Sequence, residues 1–149
     1  MNSVILSSLL LLSSSVAASD LTPVGTWKTI DDTSHQAKAL VEITEHDGAL
    51  SGHVTQLFRK PSEDQNPKCA DCPGDKHDKP ILGLEILWNL HRDGDEWAGG
   101  EILDPDEGKT YRCKMHVSDD GQKLEVRGYI GFSLLGRTQV WERAAPSNP

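Results

Sequence analysis

The sequence lacks the markers of most catalytic classes. No serine stands in a G-x-S-x-G setting, and no glycine-rich loop is built to cradle a phosphate. Cys69-Ala70-Asp71-Cys72 is not followed by a second C-x-x-C or by H-x-x-x-H, the pattern that completes a zinc site. The six histidines, His35, His46, His53, His77, His91 and His116, are scattered, with no pair at ligand spacing. These absences make a non-catalytic protein the expectation, with no cofactor and no metal. A carboxylate pair brought together from separate strands remains the hydrolytic alternative. There is also no long helical period and no internal repeat. After residue 19 no apolar run approaches the ~20 residues that span a membrane. Positive charge is short as well: 15 Lys and Arg against 23 Asp and Glu give a net charge of −8. That argues against nucleic acid and against anionic lipid as partners.

What is present begins at the amino terminus. Residues 1–15 carry no charged side chain, residues 4–12 are apolar and serine, and residues 16–19 are small. This pattern predicts a secretory signal peptide over 1–19, cleaved after Ala18 or Ser19. It places one domain, 20–149, in the periplasm or outside the cell. The leader has no Lys or Arg before its apolar run, so an uncleaved anchor is the alternative. No cysteine sits at the cleavage site, which argues against a lipid anchor.

An exported chain with three cysteines suggests one disulfide and one remainder. Cys69 and Cys72 are the expected pair. Their alternatives are a redox centre, opposed by the helix-breaking Pro73-Gly74, and a metal site completed by His77 and one of Asp71, Asp75 or Asp78. Cys113 alternates with Tyr111, Met115 and Val117 in YRCKMHV, which puts it on an apolar strand face as a buried free thiol. Residues 93–107 hold seven acids and no Lys or Arg. They do not make a calcium loop, because Trp97 and Ala98 fall where a ligand and a glycine are needed. Asp95 and Asp104 bracket a strand and fall at its opposite ends.

Eight segments read as strands: 24–30, 37–45, 50–59, 82–91, 97–103, 109–117, 122–130 and 136–143. Ala39, Val41 and Ile43 share a face, as do Val54 and Phe58. Leu82, Leu84, Ile86, Trp88 and Leu90 alternate, although Leu87 also permits a short helix there. Asp47-Gly48 suits a tight hairpin. Gly99-Gly100 marks a bulge or a bend. Residues 60–80, with Pro61, Pro67, Pro73 and Pro80, are too long for a hairpin of about 2–5 residues. Antiparallel neighbours in a meander lose their exposed edges by closing on themselves. The expectation is therefore all-β: an eight-stranded up-and-down barrel. An open sandwich would need a long crossover, which only 60–80 could supply.

Gly25-Thr26-Trp27 resembles the G-x-W of lipocalins and their calycin relatives. In that group a basic residue of the last strand packs across the tryptophan; here the candidates are Arg143 and Arg137, in a contact worth ~0.5–2 kcal/mol. GTWKTIDD (25–32), PILGLEIL (80–87), WAGGEILDPDEGKTYRCKM (97–115) and LEVRGYIGFSLLGRTQVWER (124–143) resemble a more specific group, the bacterial family of exported proteins of unknown function DUF2147. The resemblance implies a lipocalin-like barrel in the cell envelope. It implies no reaction and no catalytic residue.

A barrel of eight strands has room for side chains or for one small ligand. The expected function is non-catalytic binding of a small apolar or amphipathic molecule, with Phe58, Leu84, Trp88, Met115, Phe132 and Leu134 as candidate ligand contacts. Trp27 is expected at the base of the barrel. The alternative is a protein–protein module, in which the apolar connection 130–135 contacts a second copy or another envelope protein. A redox or metal role of the Cys69–Cys72 loop ranks below both.

Overall fold

The computed structural model describes residues 21–145. The expected signal peptide, 1–19, lies outside them. Eight strands follow in order: β1 (Gly25–Ile30), β2 (Ala37–His46), β3 (Ala49–Leu57), β4 (Glu85–Asp93), β5 (Glu96–Asp104), β6 (Lys109–Val117), β7 (Lys123–Tyr129) and β8 (Arg137–Arg143). Each pairs antiparallel with the next, and β8 returns to β1 through Trp27–Arg143 and Lys28–Glu142, so the sheet is a closed barrel. The expected architecture is the observed one, and the sandwich is excluded. At the β2–β3 turn Asp47 and Gly48 both take positive φ, 50° and 79°, as a two-residue hairpin of this hand requires.

An up-and-down barrel has two unlike ends. At one, β2–β3, β4–β5 and β6–β7 turn tightly, β1 begins and β8 ends. At the other lie the connections 31–36, 58–84, 105–108 and 130–136, the open end. Asp95 falls at the first end and Asp104 at the second, so the two cannot share an ion. The closed end is solid. Trp27, Ile43, Leu50, Leu87, Leu90, Met115 and Leu124 fill it, each at most 1 % exposed. Burying each such side chain contributes about 1.5–3 kcal/mol relative to leaving it in water.

Arg143 seals this end. Its guanidinium carbon lies 4.2 Å from the Trp27 ring centroid. Its Nε donates to Gly121 O at 2.6 Å, Nη1 to Val24 O at 3.2 Å and Nη2 to Thr22 O at 3.0 Å. Burial pulls its pKa below the ordinary value, and three carbonyls with an aromatic face replace the water it has lost. Trp27 Nε1 donates to Pro23 O at 2.7 Å. Arg137, the other candidate for this contact, begins β8 at the open end and pairs with Asp32 there.

β4 is a strand and not a helix, but its faces differ from simple alternation. Leu50 pairs with Leu90 and Gly52 with Leu87, so three residue steps on β4 oppose two on β3. This bulge, with Asn89 at φ 59°, turns Leu87 inward and Trp88 outward. Trp88 therefore packs outside, with the Lys76 ammonium 4.0 Å from its ring centroid and its own Nε1 donating to Glu101 at 2.9 Å. The expected bulge in β5 is present: Trp97 pairs with Met115 and Gly100 with Cys113, one extra residue on β5.

Candidate functional site

Above the closed-end plug the inward side chains become small. Val41 on β2, Val54 on β3, Val126 and Gly128 on β7 leave a cavity of about 680 Å³. Ile86 and Ile102 complete its apolar wall, and Trp141 lines it beside Val126. Gly128 matters because its missing side chain is space: a Cβ there would make only ordinary contacts, 3.5 Å from Tyr111 and 3.6 Å from Ile102.

All the charged groups that line the cavity belong to its open end: Asp31, Lys38, Arg59, Lys60, Glu63, Asp104, Asp106, Glu107 and Arg137. Two of the cations pair across neighbouring elements. Lys38 on β2 bonds to Asp106 in the β5–β6 turn. Burial opposes the charged form of Lys38, but the bond to Asp106 and the fields of Asp106, Asp31 and Asp104 outweigh it and raise its pKa. Arg137 Nε lies 3.3 Å from Asp32 Oδ2. Gln139 Nε2 reaches the same oxygen at 3.5 Å, and Trp141 Nε1 donates to Gln139 Oε1 at 3.2 Å. A polar ladder thus runs along β8 from the mouth to the ring of Trp141. The Tyr111 hydroxyl donates to Glu107 at 2.9 Å, a bond that raises the phenol's pKa.

The long β3–β4 connection closes part of the mouth. Cys69 and Cys72 are joined in a disulfide with their Cα atoms 5.3 Å apart. The loop doubles back on itself through Cys69 N–H to Lys79 O and Asp78 N–H to Cys69 O, both 2.9 Å. It also leans on the β5–β6 turn. Cys69 Sγ lies 3.4 Å from Pro105 O, and a Cβ on Gly108 would overlap the Asp71 carbonyl. Ile81 lines the cavity from this loop.

The six candidate ligand contacts separate. Phe58 lines the cavity, 39 % exposed at the start of the β3–β4 connection. Met115 is in the closed-end plug, Leu84 is buried just ahead of β4 and is not among the lining residues, and Trp88 is outside the barrel. Phe132 and Leu134 project from the β7–β8 connection without lining the cavity, whereas their neighbours Ile130 and Leu135 do line it. Tyr111, Ile102, Gln139 and Arg137 were not anticipated as lining residues. Tyr111 carries a signal, its alternation with Cys113, Met115 and Val117; Ile102 stands next to Leu103 beyond the β5 bulge, and Gln139 and Arg137 are polar, so alternation does not single them out.

Cys113 is a buried free thiol, as its alternation implied. Burial pushes its pKa from 9.0 up to about 12. Unfolding releases a thiol that ionises near 9.0, so this group removes stability as pH rises from there toward about 12. With the reductant absent, iodoacetamide near pH 8 is expected to leave the native protein unlabelled and to add one label once it is unfolded. With reductant and denaturant it adds three, one per cysteine. Native labelling would contradict the buried neutral thiol.

Comparison with known proteins agrees with the barrel. A solved structure, protein HP1028 from the human pathogen Helicobacter pylori, described as belonging to the lipocalin family, superposes with a TM-score of 0.69. It shares 21 % identity, over 83 % of each chain, a likeness of fold. No curated protein matches the chain by sequence. The model of one family matches residues 25–143, from the first residue of β1 to the last of β8. The chain belongs to that family, DUF2147, described as uncharacterized protein conserved in bacteria.

Proposed function

We propose that the protein binds one small apolar or amphipathic molecule in the open-end cavity and catalyses no reaction on it. The observation that carries this reading is a cavity of about 680 Å³, open at the mouth, whose deeper wall is apolar and whose charged groups are confined to its rim. That volume lies in the range of about 300–1,000 Å³ that small-molecule sites occupy. An amphipathic ligand fits with its tail against Val41, Val54 and Val126 and its head among Lys38, Arg59 and Arg137. The cell envelope is the proposed setting, in the periplasm or after secretion. The apolar leader at 1–19 and a disulfide in a chain of this size both suit an oxidising compartment.

The environment-sensitive dye N-phenyl-1-naphthylamine tests the cavity. Its fluorescence is expected to rise on binding and to be displaced by a long-chain fatty acid. Val126→Trp and Gly128→Leu each fill the cavity and are expected to weaken dye binding at least about tenfold, the loss of much of one apolar contact surface. Unchanged dye affinity in both variants, with the barrel intact by circular dichroism, would remove this site from consideration.

A further inference from the structure

Among the described residues eight large hydrophobic side chains are left exposed, and six of them lie in open-end connections: Phe58, Leu82, Ile130, Phe132, Leu134 and Leu135. Core packing does not account for that bias. Four of the six form one tip between β7 and β8, with Ile130 69 % exposed, Phe132 78 %, Leu134 89 % and Leu135 78 %. Ile130 and Leu135 also line the cavity, so the tip is continuous with its mouth.

Part of the tip's backbone is satisfied within the protein. Ser133–Leu135 form a 3-10 turn. Leu135 N–H donates to Phe132 O at 3.0 Å, and Ser133 O accepts from Arg127 Nε at 2.6 Å. Backbone groups entering lipid must find such partners within the protein. Arg127 and Arg137 stand at the base of the tip. Residues 126–141 contain no Asp or Glu, although the chain as a whole carries −8. The apolar tip with Arg127 and Arg137 beneath it, the latter shared with Asp32, suits a lipid surface, whose phosphates lie above its acyl chains. A protein partner fits less well, because a stable interface engages about 20–30 residues a side and this projection offers six.

We infer that the open end docks on a lipid bilayer. The tip 130–135 enters the outer acyl region and the mouth faces the membrane, so an amphipathic ligand passes between bilayer and cavity without crossing water. The ligand transfer rests on the cavity-binding reading above; the docking rests on the tip.

Flotation with phosphatidylcholine vesicles tests it. The wild-type protein is expected to float. Phe132→Asp and Leu134→Asp are expected to lower the floated fraction at least about tenfold while leaving the melting temperature and dye uptake in solution unchanged. The variants keep the native amino terminus, so any apolar leader left on the chain contributes equally to all. Equal flotation of wild type and variants overturns the docking, as does no flotation at all. A wild-type dimer that the variants lose, without flotation, also overturns it and assigns the tip to a second copy. If the wild type floats in a tip-dependent way but takes up no dye, the docking stands and the cavity reading fails.

Discussion

Trp27→Ala is expected to lower stability by about 3–5 kcal/mol and the melting temperature by roughly 10–25 °C. The side chain is fully buried at the base of the barrel, where β1 meets β8 and the sheet closes. Its removal leaves a cavity in a core whose other side chains are fixed by their own strands. It also strands the Pro23 carbonyl, which accepts from Trp27 Nε1 at 2.7 Å, and takes the aromatic face from under Arg143. Trp27→Phe keeps most of the volume and the face, and should cost about 1–3 kcal/mol, chiefly for the lost donor. Arg143→Ala should fall between the two, because it frees three carbonyls at once. Arg143→Lys should recover little, since a single ammonium cannot reproduce the guanidinium fork. Urea unfolding of the four variants measures the order. A Trp27→Ala protein within about 1 kcal/mol of wild type would mean that the clamp is not what holds this end.

The second large effect separates two adjacent glycines. Gly100→Ala should cost about 2–4 kcal/mol, at or above the usual range for overpacking. A Cβ on Gly100 would overlap the Trp88 carbonyl and lie 2.7 Å from both Asn89 C and Leu90 N. All three are backbone atoms of β4, so the strand itself must move. Gly99 differs. Its φ is 80°, and a Cβ there would meet nothing within 4 Å, so Gly99→Ala should cost only the left-handed conformation, about 1–2 kcal/mol. Thermal melts of the two variants should differ by several degrees, with Gly100→Ala the lower. The reverse order would show that the bulge is held by its backbone conformation and not by the closeness of β4.

The elements of this barrel are readable where a strand obeys its own alternation. Ala39, Val41 and Ile43 face inward as their spacing requires, and so do Cys113, Met115 and Val117. Asp47-Gly48 turns where it should. The pairing of Trp27 with a basic residue of the last strand is also visible, although the sequence leaves Arg137 and Arg143 as equals. Only the direction of β8 separates them, because it puts its first residue at the mouth and its last at the base. Alternation fails at β4. Whether Leu87 or Trp88 faces inward depends on how many β4 residues oppose Leu50–Gly52, and that count is a property of two strands. The cavity escapes for a related reason. Its floor is set by where Trp27, Leu50, Leu90 and Leu124 stop filling the interior, a sum over strands that are distant in sequence. Met115 is as apolar as any wall residue, yet it belongs to the plug because β6 enters from the open end and reaches Met115 only near its far limit.

Ala144 N–H donates to Thr26 O at 2.9 Å, and Arg143 pairs with Trp27. The described chain therefore begins and finishes on neighbouring strands, about 4.8 Å apart, both on the side away from the mouth. This gives the molecule a handle. A surface, a fluorophore or a fused domain joined directly at Leu21 or Ala145 stands across the barrel from the cavity and leaves its opening clear. The same adjacency makes the barrel a candidate for circular permutation, with a short linker joining the old ends and new ones cut into a tight turn.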